Sequence, residues 1–350
     1  MLYNSNSMKN LYLLTVALLL AGSSHAQLIR IPVNDGFEED PTSFVNLNGL
    51  TYFIAYNNNT GYELFKTDGT PTGTQLVADI NPGPTSALYG SALTVFNNEL
   101  YFFANNGTLG FELWKSNGTA AGTTLVKDIY PGANSGINYY TNTPRFTMAA
   151  NSQYLYFFAR DSATDSHYGL WRSDGTAAGT VFLKAALASG TVMTMFGDGN
   201  LLYFRASLAG LSAGDELCVT DGTPAGTSLL KDINPGTTSS TPANFIKLGS
   251  NILFTATGPD GTELYTTDGT AAGTVLLKDI NPYGNSGPAY LTRFNNQVLF
   301  YANDSTHGAE PWTTDGTPGG TQMLYDIMVG AASSGTLIPS EETELHPEAS

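Results

Sequence analysis

The chain has 350 residues, 41 % of them hydrophobic, which is enough to bury a core and excludes wholesale disorder. Its 14 Lys and Arg against 30 Asp and Glu leave a formal net charge of −16, which excludes the basic footprint that nucleic acid or an anionic membrane surface requires. With 38 glycines, 17 prolines and only 13 % charged residues, the composition fits many short strands joined by turns and not long helices.

From the N-terminus, Met8-Lys9-Asn10 reads as a short basic n-region, Leu11 to Ala21 as an apolar run, and Ser24-His25-Ala26 as a small-residue cleavage site. Residues 1–26 are therefore read as a cleaved signal peptide, with Gln27 as the mature start. The apolar run is well short of the roughly 20 residues that span a bilayer, so no membrane insertion is expected after cleavage. The expected location is extracellular, secreted or at the cell surface. A single cysteine, Cys218, excludes an intramolecular disulfide and any zinc site with several Cys ligands. An exported chain without disulfides must be held by its core alone.

Beyond Gln27 one phrase returns six times: Glu63–Thr74 (ELFKTDGTPTGT), Glu112–Thr123 (ELWKSNGTAAGT), Gly169–Thr180 (GLWRSDGTAAGT), Glu216–Thr227 (ELCVTDGTPAGT), Glu263–Thr274 (ELYTTDGTAAGT) and Glu310–Thr321 (EPWTTDGTPGGT). Its turn position falls at Asp68, Asn117, Asp174, Asp221, Asp268 and Asp315, at intervals of 49, 57, 47, 47 and 47. Each period divides into four short apolar segments; in the second copy these are Leu93–Phe96, Leu100–Ala104, Glu112–Ser116 and Thr124–Ile129, separated by Asn-, Gly- and Pro-rich breaks. That is the pattern of an antiparallel meander. A lone four-stranded sheet with two apolar faces cannot bury both, whereas sheets stacked radially can. The predicted fold is all-β, a β-propeller of six four-stranded blades of about 47 residues over 27–330, followed by a polar tail at 331–350. Leu28–Val33 (LIRIPV) reads as a fourth strand ahead of the first repeat, so a seven-bladed ring closed by this N-terminal strand is the alternative.

The repeat phrase resembles that of the ELWxxDGT-repeat proteins, predicted secreted or surface proteins of Bacteroidetes-like bacteria, over roughly residues 42–330. The resemblance implies a propeller-like repeat fold and export, often with a C-terminal sorting domain, and no established enzymatic activity. Here Asn117 replaces the Asp, Gly169 the Glu and Pro311 the Leu, and Cys218 takes the aromatic position.

Most of the motif reads as scaffold. Trp114, Trp171 and Trp312 share one repeat position with Phe65, Cys218 and Tyr265, as an inter-blade core slot would. The alternative, a stacking platform for sugars, needs exposure. The DGTxxGT segment reads as a hairpin turn similar to the Asp-box hairpins of sialidase propellers, its carboxylate capping backbone amides. Calcium is the alternative, but each loop offers one carboxylate where that ion wants several oxygens. Acids also recur at Glu63, Glu112, Glu216, Glu263 and Glu310 and at Asp79, Asp128, Asp232, Asp279 and Asp326. They are expected to hydrogen-bond neighbouring blades or loops, the alternative being a carboxylate ring around a channel. Lys127, Lys184, Lys231 and Lys278 stand beside the second set, close enough to neutralise part of it.

No HxH, HExxH, GxSxG or phosphate-binding loop is present, and no cofactor is called for. The carboxylate pairs Asp161 with Asp165 and Asp215 with Glu216 leave a propeller glycoside hydrolase or lyase as a lesser alternative. The preferred reading is non-catalytic: a monomeric binding or adhesion module for an extracellular glycan or surface protein. Recognition is expected on the variable loops joining the second and third strands and on the crossovers between blades. The candidate ligand-binding residues are Asn106, Tyr139, Tyr140, Asp161, Asp165, Asp215, Tyr283, Asp304 and His307. A structural spacer or display protein is the competing class.

Overall fold

The computed structural model describes residues 41–331, 333 and 334, apart from 89, 138–147, 163–167 and 188–193. Leu28–Val33, the signal segment and most of the C-terminal tail lie outside these residues. Among the described residues there is no helix, and 24 strands form six four-stranded antiparallel sheets, each in the order first-second-third-fourth. The fold is a β-propeller of six blades, at residues 42–78, 94–127, 148–185, 195–231, 243–278 and 289–323.

In blade two the strands run Thr94–Phe96, Glu99–Asn105, Phe111–Ser116 and Thr124–Lys127. The fourth strand thus ends two residues before the expected Ile129. Pairing stops because the next residue, Asp128, begins a turn, its Oδ2 accepting from the Gly132 amide at 3.5 Å. The same turn recurs at Asp79–Gly83, Asp232–Gly236 and Asp326–Gly330.

The chain forms two compact units, the first holding blades one and two with parts of blade three, the second the rest of blade three and blades four to six. Within each unit the cores follow one rule. In the first, Leu47, Tyr52, Ile54, Leu64, Val77 and Ile80 of blade one meet Leu100, Phe102 and Ala104 of blade two, with Trp114 packed on the cluster. In the second, Tyr203, Leu217, Leu230 and Ile233 of blade four meet Ile252, Phe254, Ala256 and Tyr265 of blade five. Leu253, Leu264, Leu277 and Ile280 of blade five meet Val298, Phe300, Ala302 and Trp312 of blade six in the same way. Successive residues of a strand point to opposite faces, so in these pairs the Leu of the earlier blade's phrase (Leu64, Leu217, Leu264) and the aromatic of the later one (Trp114, Tyr265, Trp312) share one core. A register shift between these two residues recurs in the pairing of third and fourth strands in blades one to five.

The slot reading holds for Phe65, Trp171, Cys218, Tyr265 and Trp312, all buried. Trp114 differs: it is only half-buried, and its indole nitrogen is enclosed without a hydrogen-bond partner. In blade six the equivalent nitrogen of Trp312 donates to the Ala302 carbonyl at 3.1 Å. Burial pushes the Cys218 thiol well above its ordinary value, as befits a small hydrophobe.

Candidate functional site

Each third strand is entered by the 2–3 hairpin at one end and left through the DGT turn at the other, so the two sets of loops occupy opposite ends of every blade. The DGT end is closed on itself. In blade one the Asp68 Oδ1 accepts from the Thr70 amide at 2.9 Å and its hydroxyl at 2.7 Å. The Thr70 hydroxyl accepts from the Gly73 amide, and Thr74 Oγ1 donates to the Thr70 carbonyl. Thr67 Oγ1 pairs with Thr74 Oγ1 at 2.8 Å and accepts from the Gly69 amide. Asn117 makes the same contacts in blade two, because only the amide-accepting oxygen is needed. The Thr hydroxyl first and the backbone amide second hold Asp68, Asp221, Asp268 and Asp315 below the usual carboxylate value.

Both glycines of the motif have a steric cause. The first takes φ near +90°, for instance +92° at Gly175. A Cβ there would lie 2.3 Å from the Tyr101 hydroxyl of the preceding blade. Tyr52 and Tyr203 crowd Gly118 and Gly269 in the same way, and Gly222 is crowded by the Tyr154 ring and the Tyr156 hydroxyl together. A Cβ on the second glycine would meet the turn's own carboxylate, 2.0 Å from Asp174 Oδ1 at Gly179.

The opposite end is built on the repeated glutamate. Glu112 is fully buried and accepts from the amides of Ile129 at 2.6 Å and Gly136 at 2.8 Å, clamping the crossover to its own blade. Glu63 does so with Ile80, Asn81 and Ala87. Glu216 and Glu263 add a serine hydroxyl, from Ser240 and Ser286. Burial pushes Glu63 and Glu112 up to about 8, against the opposing pull of the amides. A second clamp, not anticipated from the sequence, is a crossover side chain that accepts the amide of the residue just before the glutamate. Ser86 holds Tyr62, Ser135 holds Phe111, Ser239 holds Asp215, Asn285 holds Thr262 and Ser333 holds Ala309. The signal was present as a Ser or Asn some 24 residues downstream of its partner. The strand-four lysines do not neutralise the acids beside them where their bonds are resolved. Lys127 and Lys278 donate to the Ala177 and Thr321 carbonyls in the turn of the following blade, because the side chain lies across the blade boundary.

On this end, where the 2–3 loop of blade two meets the crossovers after blades one and two, lies an open depression of about 520 Å³. Thr85, Ser86, Asn105, Gly110, Phe111, Ala133 and Ser135 line it. The lining carries no ionisable side chain. The oxygens of Ser86 and Ser135 already accept backbone amides, which leaves their hydroxyl protons to donate.

Asn106, beside this depression, turns its Oδ1 onto the amides of Thr108 and Leu109 and the Thr108 hydroxyl. Asp161 is half-buried in the bend after the second strand of blade three. Asp215 departs from the expectation of a solvated loop acid. It is 3 % exposed and ion-paired with Arg205 at 3.1 Å, because Arg205 takes the second-strand position held by Ile54 and Phe103 in blades one and two and needs a counter-charge. Its neighbour Glu216 is likewise buried, within the third strand. Tyr283, in the crossover after blade five, stands 88 % exposed. Asp304 and His307 share the 2–3 loop of blade six, with Nδ1 and Oδ2 2.7 Å apart. The Asp304 hydrogen bond raises the imidazole above its ordinary value. These two candidates are in direct contact; Tyr139, Tyr140 and Asp165 lie outside the described residues. The described residues contain no group of three or more His, Cys, Asp or Glu placed to hold a metal ion, and no helix long and apolar enough to cross a membrane.

The architecture places the chain among the β-propellers. No family model and no curated protein matches it. Among solved structures it is similar to the computationally designed Ika8 protein, at 17 % identity and a TM-score of 0.49, over 88 % of this chain and 80 % of that one. It is also similar to an acylaminoacyl peptidase of Pyrococcus horikoshii, at 12 % identity and a TM-score of 0.40, over 83 % of this chain and 46 % of that one. A prolyl endopeptidase is matched at 11 % identity and a TM-score of 0.46, over 81 % of this chain and 41 % of that one. The chain thus spans less than half the length of these peptidases.

Proposed function

We propose that this is a secreted, non-catalytic β-propeller of the ELWxxDGT-repeat type, which binds an extracellular glycan or glycan-bearing surface protein through its 2–3 loop end. The observation that carries the reading is the depression of about 520 Å³ at blades one and two. It is lined by hydroxyl, amide and backbone groups with one aromatic edge. Such a lining suits a neutral polyol, which presents many donors and acceptors and no charge. Catalysis is disfavoured by the same lining, which holds no acid or base, and Asp215 is committed to Arg205. The N-terminal segment supports export.

A spacer or display role is the second reading, favoured by the extent to which polar groups on this end serve the fold's own turns and clamps. The test is a glycan and surface-protein binding screen on the mature chain, with calcium and with chelator. Ala133→Trp and Thr85→Trp, both at exposed lining positions, should fill the depression without touching the glutamate clamp. Loss of binding in these variants supports the assignment. Binding that survives them and is lost on DGT-end substitutions overturns it, and no binding to any probe moves the assignment to the spacer.

A further inference from the structure

Three polar side chains lining the depression of blades one and two have their oxygens engaged by the fold and their hydrogens left over. Ser86 Oγ accepts from the Tyr62 amide at 3.0 Å and Ser135 Oγ from the Phe111 amide at 3.1 Å. Asn105 Oδ1 accepts from the Gly107 amide at 2.8 Å. A backbone amide only donates, so this contact fixes which end of the Asn105 side chain faces its own turn and leaves Nδ2 free. The hydroxyl hydrogens of Ser86 and Ser135 and both N–H groups of Asn105 therefore have no acceptor among the described residues. Thr85, exposed, carries the one side-chain oxygen of the described lining that the fold does not use.

The apolar part of the lining is Phe111 with Ala133. The fold does not demand a ring at Phe111. The same frame recurs between blades five and six, where Asn285, Asn303 and Ser333 accept from the amides of Thr262, Ser305 and Ala309. There Ala309 takes the place of Phe111 and the clamp closes equally well, at 3.0 Å against 3.1 Å.

We infer that this depression recognises the acetamido group of an N-acetylated sugar. The inference rests on the glycan reading of the same site and narrows it to one substituent. Three ligand groups compete for a frame of unpaired hydrogens. A sugar hydroxyl brings a hydrogen of its own with each oxygen and nothing apolar for Phe111. A carboxylate is all acceptor, but the lining holds no cation to offset its desolvation, and a chain of net charge −16 repels it. An acetamido group is neutral: its carbonyl oxygen accepts from Ser86, Ser135 and Asn105, its N–H finds the Thr85 hydroxyl, and its methyl meets Phe111 and Ala133. Polar groups converging beside an apolar patch are the usual build of a small-ligand site, and about 520 Å³ is an ordinary volume for one.

The experiment is calorimetric titration and saturation-transfer NMR of the full mature chain with trimers of N-acetylglucosamine, glucose and galacturonic acid. Asn105→Asp keeps the oxygen that holds Gly107 and removes the free N–H groups; Ala133→Trp fills the depression from an exposed position. Circular dichroism and melting confirm that both variants fold. The acetylated trimer should bind at least about tenfold tighter than the other two, with its methyl receiving the strongest saturation. Asn105→Asp should weaken it at least about fivefold and Ala133→Trp should abolish it. Equal binding of the acetylated and glucose trimers, lost in Ala133→Trp, overturns the acetamido assignment and leaves the neutral glycan reading standing. Tighter binding of the galacturonic acid trimer, or acetylated-trimer binding indifferent to both variants, also overturns it. No binding of any trimer overturns the assignment together with the reading on which it rests.

Discussion

Gly175→Ala separates the two demands that the DGT turn places on its first glycine. At φ +92° an alanine is forced into the left-handed region, at a cost of about 1–2 kcal/mol. Its Cβ would also lie 2.3 Å from the Tyr101 hydroxyl, and such overpacking costs about 1–3 kcal/mol more. The sum is roughly 2–5 kcal/mol, a large part of the stability of an ordinary domain. Gly49 is the internal control, with φ +80° and nothing within 4 Å of its added Cβ. Gly49→Ala should therefore show the backbone cost alone. Replacing Tyr101 with Phe removes the clashing oxygen and leaves the ring carbon at 3.4 Å, an ordinary contact. In a double-mutant cycle followed by urea unfolding, Tyr101→Phe should restore about 1–3 kcal/mol to Gly175→Ala. The reasoning is refuted if Gly175→Ala is no more destabilising than Gly49→Ala, or if Tyr101→Phe gives no rescue.

Glu112→Ala should cost about 2–4 kcal/mol, since it deprives buried amides of their acceptor, measured by denaturant midpoint. Because burial raises Glu112 from 4.5 to about 8, the folded chain between those values holds a proton that the unfolded chain has lost. Stability therefore falls as pH rises across that window, and the advantage of wild type over Glu112→Gln should shrink from about pH 5 to about pH 8. The depressed DGT aspartates act in the opposite sense: their contribution is present above 3.8 and is lost as pH falls through their lower folded values. Asp268→Asn should abolish that blade's share of the acid loss while changing neutral stability by less than about 1 kcal/mol, as Asn117 already does in blade two. Trp171→Ala should cost about 3–5 kcal/mol and exceed Trp114→Ala, whose ring is only half-buried, by thermal melting. Cys218 should resist thiol alkylation in the native chain and react on unfolding, since its thiol is enclosed and raised.

The blade count, the meander order and the turn positions were legible from the sequence because each is a local, six-times repeated pattern. An Asp-Gly-Thr turn closes within its own few residues, and alternation places Leu and the aromatic on opposite faces whatever lies beyond. The Ser or Thr before each Asp was equally visible, yet its role appears only when Thr67 and Thr74 are seen paired across the turn. What required the tertiary structure was every relation between distant positions. The glutamates are clamps because the crossovers return over them some 17 and 24 residues later. Asp215 is an ion-pair partner because Arg205 stands across the hairpin. The open depression exists only where three separated segments converge. The half-burial of Trp114 is likewise invisible in a single repeat, because Trp114 and the buried Trp312 carry the same side chain. Whether such a side chain is core or surface is decided by what packs on it. Local geometry is written residue by residue, but burial is a property of the neighbours, and only the folded chain supplies them.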